Sequence, residues 1–256
     1  MTKVFTILGT GWLGYALAQK LKDTYTVKVS IRNKEKYKDL KSEGFEPYIL
    51  SEDSTENIDE LLNCDYLFIN YPPSKFKDYI GFLNKIYTNK NIKIIKKLFF
   101  ISSTSIYPAL QYNYDEDFEI EKEQSKKIVF EAETVASQSD VIFRCAGLMG
   151  YNRVAGKYFS NKKLTTLNKK INHVHRDDVI RATLFAIEND INGVFNLCSK
   201  YHPLRNELYI NNAKKYGFKQ PIFEINNNEI ENRVIDGSKI ESLGFRYKYE
   251  NPMNYL

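Results

Sequence analysis

The 256-residue chain has only 3 Cys, set far apart as Cys64, Cys145 and Cys198 with no CxxC pair among them. That odd count and wide spacing exclude a disulfide framework and argue against a thiolate metal centre, so the expectation is no metal and a reduced, cytoplasmic setting. Proline is sparse, with 7 residues, and no low-complexity linker or internal repeat divides the chain. Long apolar runs are absent: Tyr66–Ile69 and Leu98–Ile101 are far shorter than the ~20 residues that span a bilayer. Nor is there a signal segment ahead of the strand-like Val4–Leu8. Charge of one sign is also in short supply. The net charge of +5 is spread in short lysine pairs, which does not make the basic patch that nucleic acid needs. These absences leave a small molecule as the expected partner, with neither nucleic acid nor membrane.

What is present begins at the N-terminus. Gly9-Thr10-Gly11-Trp12-Leu13-Gly14 follows the apolar run Val4–Leu8 and precedes Tyr15–Leu21, which is helical in period. A GxGxxG alone is a weak signal, but between a strand and a helix it reads as a dinucleotide-binding turn. Gly9 permits the turn, Gly11 lets a pyrophosphate approach the backbone, and Gly14 lets the helix pack on the strand. The helix N-terminus then offers N–H groups and a partial positive charge to phosphates.

Strand-like and helix-like segments alternate along most of the chain. Strands are expected at Thr26–Arg32, Glu46–Leu50, Tyr66–Ile69, Leu98–Ile101, Val141–Arg144 and Val194–Leu197, and helices at Asn33–Glu43, Ser54–Asn63, Lys75–Tyr87, Glu121–Ser137 and Asp178–Glu188. Continuous apolar strands covered on both faces belong to parallel sheets. The expected fold is therefore α/β: a doubly wound parallel Rossmann sheet of about seven strands with a small C-terminal substrate cap. Residues 1–150 would form the dinucleotide-binding core. Of residues 151–256, 171–200 would complete the sheet, while 151–170 and 201–256 would form the cap.

The end of the second strand bears on the cofactor. NAD sites usually place an acidic residue there for the ribose 2′-hydroxyl. This chain has Ser30-Ile31-Arg32-Asn33-Lys34, with no acid and two cations. Arg32 can meet a 2′-phosphate with a planar fork and Ser30 can add a hydroxyl, which favours NADP over NAD. Arg32 and Lys34 could equally belong to a solvated basic helix. Asn70, Tyr71 and Pro72, after the fourth strand, and Ser102, at the end of the fifth, are further candidates for cofactor contact.

Four stretches then resemble the extended short-chain dehydrogenase/reductase superfamily, specifically its atypical NAD-dependent epimerase/dehydratase-like members. They are Gly9–Gly14, Phe100-Ile101-Ser102-Ser103-Thr104-Ser105-Ile106-Tyr107, Ile142–Gly150, and His173-Val174-His175-Arg176-Asp177-Asp178-Val179. Ile240–Tyr247 looks like the closing helix and turn. The resemblance implies that Ser103 hydrogen-bonds the reacting oxygen, and that Ala146, Gly147 and Leu148 lie near the nicotinamide. It also implies dimerisation through the helices at Lys75–Tyr87 and Glu121–Ser137. Arg144, His175 and Asp178 match family positions and read mainly as structural.

One departure matters for chemistry. The family pairs Tyr-x-x-x-Lys on the helix after the serine strand, one turn apart, so that the phenol can exchange a proton with substrate. Here Ser125 and Val129 occupy those positions. Tyr37…Lys41 and Tyr158…Lys162 fit the spacing but lie elsewhere. Tyr107, Tyr112 and Tyr114 are candidate replacement donors, as is a water, with Lys126 or Lys127 supplying charge; these tyrosines could instead pack the loop. The functional expectation is an NAD(P)-binding oxidoreductase moving hydride to or from a small carbonyl or hydroxyl substrate with a non-standard proton donor, Ser103 and Tyr107 being its catalytic candidates. The alternatives are a non-catalytic NADP(H)-binding sensor or partner-binding protein, and a nucleotide-sugar epimerase/dehydratase.

Overall fold

The parallel sheet forms because its strands are apolar on both faces. In the computed structural model, which describes residues 2–165, 168–224 and 232–255, seven strands make one sheet: β1 (Val4–Leu8), β2 (Thr26–Ile31), β3 (Glu46–Ile49), β4 (Tyr66–Ile69), β5 (Lys97–Ser103), β6 (Val141–Cys145) and β7 (Gly193–Leu197). Their order across the sheet is 3-2-1-4-5-6-7. β1 is paired in parallel with β2 on one side and β4 on the other, Phe5 standing opposite both Val27 and Tyr66. All four residues of β4 are buried, as a strand covered on both faces requires. The strand order reverses at β1, so the loops after β1, β2 and β4 are neighbours at the carboxyl edge, where open α/β sheets bind ligands.

The helices are α1 (Trp12–Leu21), α2 (Tyr37–Ser42), α3 (Ile58–Leu62), α4 (Tyr79–Tyr87), α5 (Lys127–Val135), α6 (Arg176–Glu188), α7 (Arg205–Tyr216) and α8 (Ser238–Ser242). Several are shorter than the periodicity predicts. α2 starts at Tyr37 rather than Asn33, α3 at Ile58 rather than Ser54, and α4 at Tyr79, where Asp78 caps it by accepting from the Gly81 N–H at 2.8 Å. α5 starts at Lys127 rather than Glu121, so Ser125 precedes the helix while Val129 is buried on it.

The chain divides into two compact units, neither of them continuous in sequence. The first takes in Met1–Ser102, Lys126–Phe143 and Ala186–Val194; the second takes in Ser103–Ser125, Arg144–Phe185 and Phe195–Leu256. The second unit thus starts at the end of β5 and includes far more than the stretches 151–170 and 201–256 expected to form a cap; of those, residues 166–167, 225–231 and 256 lie outside the described residues.

The first unit has a large apolar cluster that packs Leu67, Ile69, Leu98 and Phe100 with Phe82, Leu83, Ile86 and Ala132. Two buried lysines interrupt its strands for a reason. Lys28 Nζ donates to the carbonyls of Glu60 (2.7 Å) and Asn63 (3.2 Å), closing the end of α3. Lys97 Nζ does the same for Ala186 and Ile191, both at 3.1 Å. A cation suits the carbonyl end of a helix, where the last C=O groups lack intrahelical partners.

The second unit is organised around a smaller cluster of Met149, Ile171, Leu208, Tyr209 and Tyr255. Short parallel strand pairs knit it together, Gly147–Met149 beside His173–His175 and Asn113–Tyr114 beside Val234–Ile235. Side-chain ties to backbone do the rest. Asn172 donates to the Arg233 carbonyl (3.0 Å) and accepts from the Ile235 N–H (2.9 Å). Arg233 in turn donates to the carbonyls of Thr104 (2.7 Å) and Pro108 (2.8 Å).

Candidate functional site

The loop after β1 is shaped by its glycines. Gly9 has φ +97°, and a Cβ there would stand 2.5 Å from the Asn70 carbonyl oxygen. A Cβ on Gly14 would stand 2.3 Å from the Gly9 carbonyl oxygen, so this helix turn can press on the loop only without a side chain. Gly11 differs, because nothing lies within 4 Å of a Cβ built on it. The space it leaves is the cleft itself.

That cleft, of about 330 Å³, is lined by Gly9, Thr10 and Gly11 after β1, by Ser30 and Ile31 at the end of β2 with Arg32, Asn33, Glu35 and Lys36 after it, and by Asn70, Tyr71, Pro72, Lys75 and Phe76 after β4. Thr10 Oγ1 is buried there with no hydrogen-bond partner among the described residues. A buried hydroxyl without a partner is costly unless a ligand completes it. An orphaned hydroxyl in a glycine loop, at the start of α1 and beside open space, fits a phosphate-bearing ligand.

The structure thus brings Gly9, Thr10, Gly11, Ser30, Arg32, Asn70, Tyr71 and Pro72 together, and it corrects several assignments within the set. Ser30 is buried and its hydroxyl is already engaged, accepting from the Gly9 N–H at 2.8 Å and bonded to the Tyr71 hydroxyl at 2.6 Å. It latches the loop and has little left for a 2′-phosphate. Burial pushes the Tyr71 phenol well above its ordinary value, against the opposing pull of Ser30 and of the Arg32 charge. Arg32 itself is exposed on the cleft. Trp12 is half-buried on α1, Leu13 and Gly14 are buried there, and none of them lines the cleft. Ser102 is also withdrawn, since its buried hydroxyl donates to Glu133 Oε1 at 2.5 Å. The Tyr71–Ser30–Gly9 relay had no sequence signal, because it joins residues on three separate strand ends.

The remaining candidates lie in the second unit. Ser103 is half-buried and its hydroxyl accepts from the Ser105 N–H at 3.2 Å, which leaves its own hydrogen to donate. Tyr107 is in a different position. It is buried, its ring stacks on Tyr114, its oxygen accepts from Arg144 Nη1 at 2.9 Å, and its hydrogen goes to Asn196 Oδ1 at 2.9 Å. Burial raises its pKa, opposed by the Arg144 charge. In this arrangement Tyr107 has no proton to offer a substrate, and it packs the loop. Tyr114 is equally buried, whereas Tyr112 is exposed.

Ala146, Gly147 and Leu148 are held by backbone. Ala146 donates to the Leu197 carbonyl and Gly147 to the Asn172 carbonyl, both at 3.0 Å, and Leu148 pairs with Val174. A Cβ on Gly147 would meet His173 Nδ1 at 2.5 Å, so that glycine makes room for an imidazole. Asp178 is fully buried and accepts from the N–H groups of Lys248 (2.8 Å) and Tyr249 (2.9 Å) and from Arg181 (2.8 Å). The expected structural reading of Arg144 and Asp178 fits these partners. The Asp178 carboxylate thus ties the backbone of the loop at Lys248 and Tyr249 to α6.

No metal cluster of three His, Cys, Asp or Glu exists among the described residues, and no helix among them is long and apolar enough to cross a membrane. The three thiols are free, and burial raises Cys64 to about 11 and Cys145 to about 12.

No protein-family model matches the chain. It is 28% identical to protein YeeZ of Escherichia coli over 98% of both chains. Among solved structures, one described as an NAD-dependent epimerase/dehydratase from Methylobacillus flagellatus superposes with a TM-score of 0.81, at 19% identity over 98% of this chain and 95% of that one. MoeE5 in complex with UDP-glucose and NAD superposes with a TM-score of 0.75, at 15% identity over 95% and 93%.

The fold is that of the extended short-chain dehydrogenases/reductases. Ser103 is the last residue of β5. α5 carries no tyrosine. Of the YxxxK matches elsewhere, Tyr37 and Lys41 lie on α2, and Tyr158 is exposed in the 3₁₀ turn Ala155–Phe159.

Proposed function

We propose that this chain binds a nicotinamide dinucleotide at the cleft over β1, NADP in preference to NAD, and works as an oxidoreductase on a small carbonyl or hydroxyl substrate. The observation that carries the reading is the cleft: a glycine loop with an orphaned buried Thr10 hydroxyl, an open space at Gly11, and Arg32 where an acid would select NAD. Support for dinucleotide binding also comes from a structural neighbour of the same fold that holds NAD. The cofactor, when bound, supplies or accepts hydride. The chain's own part is to cradle the phosphates on Gly9–Gly11, to meet the 2′-phosphate with Arg32, and to donate the Ser103 O–H to the reacting oxygen. With Tyr107 engaged elsewhere, the proton comes from water or from exposed Tyr112. The reading includes a homodimer through α4 and α5, which sedimentation would test.

A second reading, a nucleotide-sugar epimerase or dehydratase, is favoured by the neighbour that binds UDP-glucose together with NAD. It leans harder on a tyrosine that α5 lacks.

The test is a fluorescence titration with NADPH and, in parallel, NADH, repeated on Arg32→Glu. The expected result is NADPH binding that this substitution weakens selectively, followed by NADPH oxidation with an aldehyde or keto-sugar panel that Ser103→Ala abolishes. Transient reduction of bound NAD(P)⁺ by a nucleotide sugar would transfer the assignment to the second reading. Tight binding without turnover would leave a sensor. No binding of either dinucleotide at millimolar concentration would overturn the whole assignment.

A further inference from the structure

The cleft has two banks. Because β2 and β4 flank β1, the loops that follow them stand on opposite sides of the Gly9–Gly11 loop. The β2 bank carries Arg32 and Lys36 together with one carboxylate, Glu35. The β4 bank carries Lys75, the last residue of the 3₁₀ turn Pro73–Lys75. All three cations are exposed on the cleft. The turn itself is fixed, since the Lys75 N–H donates to the Pro72 carbonyl at 3.1 Å and the Phe76 ring beside it packs on Tyr71 and Phe82. A lysine on a rigid turn at a cleft edge is therefore placed, whereas one on a free surface is only solvated.

A phosphate monoester carries about −1.5 to −2 charges at neutral pH, so one guanidinium leaves much of it uncompensated. A second cation facing Arg32 from the other bank would complete the neutralisation. We propose that Lys75 is a second specificity-determining residue, closing a two-sided cationic clamp with Arg32 on the 2′-phosphate of the dinucleotide. This rests on the NADP reading above and adds to it a residue from a different strand end. An unphosphorylated ribose offers Lys75 only hydroxyls, so the contact discriminates between the two dinucleotides.

The test uses the full-length protein, with NADPH and NADH titrated against the unsubstituted chain, Lys75→Ala and Lys75→Arg. A lost charge-assisted hydrogen bond weakens binding by about tenfold. Lys75→Ala should therefore bind NADPH about tenfold more weakly and NADH unchanged, and Lys75→Arg should restore most of the loss. Lys75 is exposed, so unaltered circular dichroism and melting should accompany both variants. An equal loss for NADPH and NADH, or no loss for either while the unsubstituted chain prefers NADPH, would overturn the clamp and leave the NADP reading standing. An unsubstituted chain that shows no NADPH preference would overturn the NADP reading, and the clamp with it.

Discussion

The two units are built by different means. The first is held by sequence-local logic: each βα segment supplies an apolar strand and a covering helix, and the parallel sheet collects them into broad apolar layers. The second has short two- or three-residue strand pairs and a small core, and it depends on single polar side chains that tie distant backbone together. A unit of the first kind shares its stability among many apolar contacts. A unit of the second kind concentrates it in a few buried polar groups, each expensive to leave unsatisfied. All three histidines, His173, His175 and His202, fall in the second unit.

The largest effect to break this comparison lies in the first unit, at the crowded turn after β1. Gly9→Val places a branched Cβ against the Asn70 carbonyl at φ +97°, and should destabilise the chain by roughly 3 kcal/mol in urea unfolding. Gly11→Ala meets no atom and should leave stability unchanged, yet weaken dinucleotide binding. Equal behaviour of the two variants would show that the loop's glycines serve only folding.

Next comes Asp178→Ala in the second unit. It strips the acceptor from two backbone N–H groups, those of Lys248 and Tyr249, and should cost about 3 kcal/mol, with Asp178→Asn recovering part. A loss below about 0.5 kcal/mol would mean that water replaces the carboxylate, and that the second unit does not hinge on single ties.

The smallest and most selective effect is acid. His175 is buried against Tyr249 and accepts the Asp177 N–H on Nδ1 at 3.2 Å, which requires an unprotonated Nδ1. Burial lowers its pKa below 6.5, opposed by Asp177 and Asp178 and reinforced by Arg176 and Lys248. His173 is lowered by burial too, and His202 is lowered to about 4 by burial and by Lys170. A depressed histidine pKa means that the unfolded chain takes up the proton first. The stability of the neutral rings is therefore complete above about pH 6.5, and lost progressively between there and about pH 4. Limited proteolysis at pH 7.5 and pH 5 should show cleavage rising within 144–185 and 195–256 while the first unit stays protected. Uniform cleavage across both units would erase the contrast.

Legibility follows the same division. The Gly9–Gly14 turn, the seven strands and their parallel sense were readable, because a covered strand must be apolar throughout and a βα repeat admits few topologies. Helix starts were less readable at α2, α3 and α5, where charged residues continue a helical pattern that the backbone does not follow. At the site, Gly9, Thr10, Gly11, Arg32 and the Asn70–Pro72 turn line one cleft. Ser30, Ser102 and Tyr107 do not offer free hydroxyls, because each found a partner 30 or more residues away or on another strand end: Tyr71, Glu133 and Asn196.

The sequence by itself determined the sheet, the dinucleotide-type turn and a cation, Arg32, in place of an acid directly after β2, since each is written in neighbouring residues through strand burial, glycine conformation and charge. Only the tertiary structure decided which hydroxyls are spent, which glycines guard a contact and which give room, and that Lys75 shares a cleft with Arg32. Those outcomes depend on residues brought together from separate strand ends, and a hydrogen bond has no period by which sequence could announce it.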